Sequence, residues 1–561
     1  MRKLLLVCLL IPFGFSLAYG QSWVWGIEGG GAAEGFAGAT DNKGNAFVGG
    51  QFQRKINFNT DTLKSLLVDL YFAKYDKNGN FLWAVQSHCS SDPLSEASAI
   101  GAATDKSGNV YVTGAIRDTV YLGANRLTTP ALEGATFLAK YGVNGNLIWV
   151  KQAYAPTFTT WGSGLGVVCD KLNNVYVTGG FGDTLIFGTD TLKTPDHSAG
   201  FFLVKYDSNG KQLFARQSIV PAPRIGGYTF SASVDNQNNV YLTGYFQDSI
   251  YIGSYKLKGT AQNDFFICKY DSTGNLIWAK QGLKNSVYNN AIGNSIATDE
   301  FGNSYITGQF TDTLLCDTVK LVSSIATLFV AKYDKNGHAL WAKKATSLYG
   351  RQMFGFSIAA SDYGKVYVSG SSGGNDSAKI QIENFIFQQK NITDGSIVLE
   401  LDTAGNVLCG SIAGTGGDDE NIIACDPSGQ YVYLCGDGDP AIFGSDTLLG
   451  SEAPLIACWQ PCDVNNTASA GSFYYPTESI SVFPNPSNGK FTIQANGSQP
   501  MANSFIEIYN VLGERVYSNS YQPTANGYQL SLSNQPNGVY LYRVISQDGS
   551  LIGSGKVIIE K

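Results

Sequence analysis

The chain repeats itself. An aspartate, a short turn and an aromatic-bearing strand ending in glycine recur as "TDNKGNAFVGG", "TDKSGNVYVTG", "CDKLNNVYVTG", "VDNQNNVYLTG", "TDEFGNSYITG", "SDYGKVYVSG" and "CDPSGQYVYLCG". The leading aspartates are Asp41, Asp105, Asp170, Asp235, Asp299, Asp362 and Asp426, so the spacings are 64, 65, 65, 64, 63 and 64 residues. A period held so tightly means one supersecondary unit made seven times, and it settles the fold class before any single residue does.

Each unit carries a second, weaker segment such as "DTVYLG" (118–123), "DTLIFG" (183–188) or "DSIYIG" (248–253), then a third such as "FLAKYGVNGNLIWVKQ" (137–152) or "FFICKYDSTGNLIWAKQ" (265–281). The segments alternate with period two, Val110 and Val112 on one face and Tyr111 and Thr113 on the other, which is strand patterning. The D-x-x-G-N links have turn chemistry: Asp bonds its own backbone and Gly supplies positive φ. Each unit is therefore predicted to be an antiparallel meander of strands A to D, with a short extra hairpin between B and C. One twisted sheet cannot bury both faces, but seven packed around an axis do, which predicts an all-β, seven-bladed β-propeller. A solenoid would need atypical polar caps, and none is present in the sequence. The composition agrees, with 65 glycines, 12% aromatic residues and only 15% charged ones.

The last unit is short of one strand. "PLIACWQ" (454–460) is followed by "PCDVNNTASAGS", with no fourth strand of the W-A-K-Q type, while "SWVWGIE" stands alone at residues 22–28. Pairing 22–28 with 454–460 would latch the ring, removing two open edges and burying Trp25, worth roughly 2–3 kcal/mol.

Residues 1–20 have the form of a secretory leader: Arg2 and Lys3, an apolar run from Leu4 to Leu17, and Ala18-Tyr19-Gly20 before Gln21. That run is short for a membrane span, and no later one reaches 18 residues, so no transmembrane segment is expected. A net charge of −7 without a basic run excludes a nucleic-acid partner. Nine cysteines follow the leader, and an odd number leaves at least one unpaired in an oxidising compartment. Cys458 and Cys462 have the spacing of half a metal site. No second pair lies near them, and His88, His197 and His338 are scattered, so no metal is expected and small buried strand residues are the reading. One or two disulfides late in the array remain open.

By these residues the chain resembles the bacterial seven-bladed SBBP repeat proteins. The units D-x-x-G-N-x-Y-x-T-G and K-Y-D-x-x-G-N-x-x-W-A-K-Q carry the resemblance over about residues 22–460. It implies fold and says little about activity. After residue 463 the texture changes: a polar linker, then strands separated by Pro-Asn-Pro, Leu-Gly and Pro-Asn-Gly turns, enough for a small Ig-like β-sandwich. Pro484, Asn485, Pro486, Gly489, Gly513, Gly538, Tyr540 and the strand from Lys556 resemble the type A C-terminal sorting domain of the type IX secretion system of Bacteroidota. Gln535 departs from the apolar residue usual in that family. The expected division is a signal peptide at 1–20, propeller at 21–462, linker at 463–478 and sorting domain at 479–561. The resemblance implies the outer-membrane secretion machinery as partner, and a secreted or surface-held product from which the domain can be removed.

Catalytic motifs are missing from the sequence: no G-x-S-x-G elbow, H-E-x-x-H helix or Walker loop is present. The Asp-x-Asn-Gly-Asn turns, such as Asp76 to Asn80, lack the ligand series and the twelfth-position Glu of an EF-hand. They also differ in spacing from the Asp-boxes of sialidases, and no three arginines are tied together. No catalytic residue and no cofactor are therefore assigned. The D–A connections vary while the A–B and C–D turns repeat, which marks the D–A end as the binding end. Trp161, Arg224, Tyr228, Tyr288, Tyr349 and Arg351 are the candidate contacts for a glycan or protein ligand. Arg224 and Arg351 each stand eleven residues before their aspartate (235 minus 224, 362 minus 351), which predicts equivalent places in two blades. The expectation is a binding or adhesion scaffold. The alternative is a polysaccharide hydrolase or lyase using carboxylates of "GTGGDDEN", Asp418, Asp419 and Glu420.

Overall fold

The structure is a computed structural model. It describes residues 16–17, 23–28, 33–58, 61–130, 134–157, 159–195, 198–221, 226–259, 262–282, 290–373, 377–383, 385–390, 394–415, 421–438, 441–443, 446–448, 453–461, 479–496, 504–510, 515–521, 528–545 and 551–561. These residues form strands and turns, with no helix among them. The chain divides into two compact units, Met1–Asn465 and Asn466–Lys561.

In the first unit the four-stranded meander recurs seven times among the described residues. The second sheet is typical: Glu96–Thr104 (A), Val110–Leu122 (B), Ala135–Tyr141 (C) and Leu147–Gln152 (D) pair in chain order. The same order holds within residues 33–86, 161–219, 227–281, 291–344 and 353–415. The seventh sheet takes Ile422–Cys425, Val432–Gly438 and Ala453–Trp459 as A, B and C, and its outer strand is Trp23–Glu28. Trp23 stands opposite Trp459 and Gly26 opposite Ala457, the antiparallel pairing anticipated for the displaced repeat ending. The Trp25 side chain lies outside what is described. Each A strand packs on the A strand of the next sheet, and Ile422–Cys425 packs on the first, Ala33–Thr40. Fully buried Tyr111, Tyr176, Tyr241, Tyr305, Tyr367 and Tyr433, one per B strand from the second sheet on, and Phe47 in the first, fill the space between sheets.

The leading aspartates do more than cap a turn. Asp105 Oδ1 accepts from the Ser107 and Asn109 amides at 2.9 and 3.0 Å, which shapes the turn. Its Oδ2 also lies 3.5 Å from Lys140 Nζ, the lysine of the "AKY" segment on strand C, with both side chains buried. Lys140 lies over the Tyr111 ring and donates to the Ser208 carbonyl of the next sheet at 3.0 Å. Lys74–Asp41, Lys205–Asp170 and Lys269–Asp235 repeat the pair at 3.2, 3.3 and 3.2 Å. A buried charge tolerates low dielectric only when paired and hydrogen-bonded, so lysine and aspartate recur together.

The sixth sheet corrects the sequence reading. Ser361, not Asp362, opens its turn: the Ser361 amide donates to the Lys365 carbonyl at 2.9 Å, as Asp105 does to Asn109. Asp362 is exposed. Glu400 stands where the first five sheets have lysine and pairs with Lys365 at 2.8 Å, so the charges are exchanged.

The extra B–C hairpin is present and reaches the preceding sheet. Ser218 and Ile219 at the end of one D strand pair with Ile252 and Tyr251 of the next hairpin, and Gly414 and Thr415 pair with Ile442 and Ala441. Neighbouring sheets are thus stitched by backbone hydrogen bonds as well as by side-chain packing.

The second unit has a three-stranded sheet of Ser479–Phe483, Lys490–Asn496 and Tyr528–Ser531. A four-stranded sheet is ordered Arg515–Tyr521, Ser504–Tyr509, Gly538–Ile545, Leu551–Ile559. Phe491, Ile493, Ile506, Tyr540, Val544 and Val557 from both sheets share one core. Asn485 bridges the last strand, donating to the Lys556 carbonyl at 2.9 Å and accepting from the Ile558 amide at 2.8 Å. Gly489 has φ +92°, and its carbonyl accepts from the Leu532 amide at 2.7 Å. Tyr540 donates to the Pro536 carbonyl at 2.8 Å. The motif residues therefore tie the ends of this unit together. Gly513 lies outside the described residues.

Candidate binding site at one end of the axial channel

The A strands surround a channel cavity of about 550 Å³. In six of the sheets the A strand carries a β-bulge at the same place, between Gly35 and Ala37, Ala99 and Gly101, Gly164 and Gly166, Thr229 and Ser231, Gly293 and Ser295, and Gly355 and Ser357. The extra residue at each bulge lines the channel: Phe36, Ile100, Leu165, Phe230, Asn294 and Phe356. A bulge re-aims one side chain without disturbing the rest of the ladder. The residue before it is glycine or alanine in five of these sheets and threonine in the fourth, because the neighbouring sheet is close. A Cβ on Gly164 would fall 2.1 Å from Thr113 Oγ1, the threonine of the preceding "YVTG" segment. Thr113 in turn donates to the Phe137 carbonyl at 2.7 Å.

At the end where the A strands begin, aromatic rings cluster, and of these Phe230 and Phe356 line the channel. Trp161 and Tyr228 stand 5.6 Å apart between centroids, Tyr228 and Tyr245 5.4 Å, and Phe230 and Tyr245 5.6 Å. Phe354 and Phe356 stack at 6.3 Å. Burial raises the Tyr228 phenol, and burial together with Tyr228 pushes Tyr245 up to about 12, so both are neutral donors at ordinary pH. Planar polar groups share the same end. Gln51 Nε2 donates to Glu34 Oε2 at 2.7 Å, and Asn294 Nδ2 donates to Gln309 Oε1 at 2.8 Å. Flat apolar faces can stack on a sugar-like ring, and amides and a carboxylate can bond its hydroxyls.

Of the residues singled out in the sequence, Trp161 and Tyr228 are brought together, but on A strands rather than in connecting loops. Tyr349 and Arg351 are exposed ahead of the sixth A strand, where the Arg351 amide donates to Ser347 Oγ at 3.2 Å. With Ser361 as the turn residue, Arg351 stands ten residues before it (361 minus 351), so the equivalence with Arg224 is lost. Arg224, Tyr288, Asp418, Asp419 and Glu420 lie outside the described residues. Sequence reasoning missed Tyr245, Phe230, Phe36 and Phe356. A signal existed: the channel residue always stands five before the turn residue, as Phe36 before Asp41.

The opposite end, at the A–B turns, holds a polar cavity of about 180 Å³ lined by Asp105, Asp170, Asp235, Asp299, Lys106 and Lys171. The four aspartates are already engaged by Lys140, Lys205, Lys269 and Lys332. Among the described residues no three His, Cys, Asp or Glu side chains are grouped as metal ligands.

Two family models match the chain: "Secretion system C-terminal sorting domain" over residues 481–560 and "Beta-propeller repeat", SBBP, over residues 282–309. An uncharacterized WD repeat-containing protein of Acanthamoeba polyphaga mimivirus is 24% identical over 276 residues, 41% of this chain and 19% of the relative, so the chain matches about a fifth of that relative's length. Among solved structures, an ulvan lyase, a polysaccharide lyase, is similar at TM-score 0.39 and 9% identity, covering 69% of this chain and 95% of that one. PorZ, a surface component of the type-IX secretion system of Porphyromonas gingivalis, is similar at TM-score 0.14 and 10% identity, covering 96% and 100%. The chain carries β-propeller repeats and a type IX sorting domain, which marks it for export to the cell surface or extracellular space and for interaction with that secretion machinery.

Proposed function

We propose that the exported chain is a binding scaffold, a closed seven-bladed propeller that holds a glycan at the aromatic end of its axial channel. One observation carries the reading: Trp161, Tyr228, Tyr245 and Phe230, from two adjacent sheets, form one run of rings at the end of the sheets that also holds the Gln51–Glu34 and Asn294–Gln309 pairs of the first and fifth sheets. Sugar rings present apolar faces for stacking and hydroxyls for planar polar partners, which matches that pairing. Closure of the ring draws support from Trp23–Glu28 pairing with Ala453–Trp459. The two sheets of the second unit, sharing one core, support an Ig-like sandwich confined to residues 479–561. In this reading the removable domain acts in export alone and the propeller does the binding.

The test is retention of the full chain on an immobilised glycan panel beside a peptide panel, with and without Trp161→Ala and Tyr228→Ala. Each substitution removes one stacking face and is expected to weaken glycan retention about tenfold, the effect of roughly 1.4 kcal/mol. Retention on peptides only, or glycan retention unmoved by both substitutions, overturns the reading. Release of shortened glycan overturns the non-catalytic part of it.

A further inference from the structure

The turns joining strands A and B carry a second set of residues besides those that build them. Asp105, Asp170, Asp235 and Asp299 open their turns and are occupied by the buried lysines. The residue that follows each opener has no such duty. In the first six sheets these followers are Asn42, Lys106, Lys171, Asn236, Glu300 and Asp362, and all six line the cavity of about 180 Å³ at that end of the channel. Asp362 belongs to the set because Ser361 opens the sixth turn.

The next sheet fixes where the followers stand. The Lys106 amide donates to Asn173 Oδ1 at 3.3 Å, and the Lys171 amide to Asn238 Oδ1 at 3.2 Å. The Asp362 amide donates to the Pro427 carbonyl at 2.8 Å, and Asn236 Nδ2 to the Glu300 carbonyl at 2.9 Å. Their charges are sorted by side. The A strands follow one another around the axis in chain order, so the second and third sheets stand across from the fifth and sixth. Two ammonium groups thus line one side of the cavity and two carboxylates the other, with Asn42 and Asn236 on the flanks. Among the described residues, none of these four charged side chains is in an ion pair or a side-chain hydrogen bond.

That arrangement selects by charge pattern. An anion drawn to the lysines is repelled by the acids beyond them, and a cation meets the reverse. A molecule with opposite charges at its two ends gains on both sides. An α-amino acid carries its charges on one carbon, too close together to serve both. A water needs roughly 10–15 Å³ of such space, so the cavity has room for about a dozen, which suits a peptide of two or three residues.

We propose that this end of the channel binds a short free peptide, its carboxylate held by Lys106 and Lys171 and its ammonium by Glu300 and Asp362. Asn42 and Asn236 supply partners for its amide groups. The site lies at the other end of the channel from the aromatic rings and does not depend on the glycan reading.

The test is saturation-transfer NMR on the full chain with triglycine, triglycine amide and N-acetyltriglycine as probes. Triglycine is expected to bind with a Kd on the order of 1 mM, and each blocked form about fivefold more weakly, the effect of losing partly screened ion pairs. Lys106→Gln with Lys171→Gln should erase the preference for the free carboxylate and keep that for the free ammonium. Glu300→Gln with Asp362→Asn should do the reverse. All four side chains are exposed, so the fold should tolerate both pairs of substitutions. Absence of transfer to triglycine at about 10 mM, or equal binding of the three probes, overturns the proposal. So does a preference that survives loss of its own pair of residues or disappears with the other pair.

Discussion

The two ends of the same sheets are built on opposite principles. At the turn end of the first five sheets, an aspartate, its lysine and an aromatic ring, Phe47 in the first and tyrosine in the others, recur with nearly the same geometry, all buried. At the mouth, the equivalent positions hold Glu34, Ser98, Ser163, Tyr228, Ile292 and Phe354, which run from carboxylate through hydroxyl to aliphatic and aromatic. A sheet whose turn end is fixed by a buried charge pair needs nothing particular from its other end. Stability is concentrated at one end, and variation is free at the other.

Four measurements can break or sharpen that contrast. Lys269→Ala should have the largest effect, because it strands Asp235 without its cation. About 3–5 kcal/mol of stability should go in urea unfolding, and converting the pair together to Met and Asn should cost much less. Trp278→Phe keeps an aromatic ring but removes the hydrogen bond to Lys335 and part of the buried indole, so about 1–2 kcal/mol is expected. Tyr228→Ser at the mouth should cost no more than about 1 kcal/mol of stability, being half-exposed, while altering ligand retention; a loss as large as that of Lys269→Ala would erase the contrast.

The smallest effect concerns pH. Burial, the largest single effect on Asp271 in the fourth C–D turn, raises it, but hydrogen bonds from Asn275 and Thr273 together outweigh this and bring it down to about 2 from its ordinary 3.8. A lowered carboxylate contributes stability fully above its unfolded value, lost as pH falls from about 4 toward 2. The group is exposed and screened, so the urea midpoint of Asp271→Asn should fall only slightly less than that of the parent over this range.

Much of the scaffold was readable because a repeat multiplies weak signals. Period-two patterning, turn glycines and the missing strand pointed to the meander and to the pairing of residues 23–28. The lysine partner was equally visible in "AKY", yet alternation alone assigns a strand lysine to solvent, and only the register across the sheet shows it facing the aspartate. Ser361 was missed because an adjacent Asp362 imitates the motif one residue late. The mouth was harder still. A bulge adds one residue to one strand, which shifts a side chain from between the sheets to the channel, and no local propensity records it. Tyr245 lies on a B strand, so its meeting with Tyr228 depends on pairing rather than on sequence distance.

The bulges also separate two kinds of inheritance. Copying a unit copies its fold through the turn, the lysine and the tryptophan. The bulged position, held open by a small neighbour, is free to hold phenylalanine, isoleucine, leucine or asparagine. The channel thus reads as a short word, F-I-L-F-N-F in chain order, each letter replaceable alone. A descendant could acquire a new ligand by respelling that word, with no new loop and no altered period.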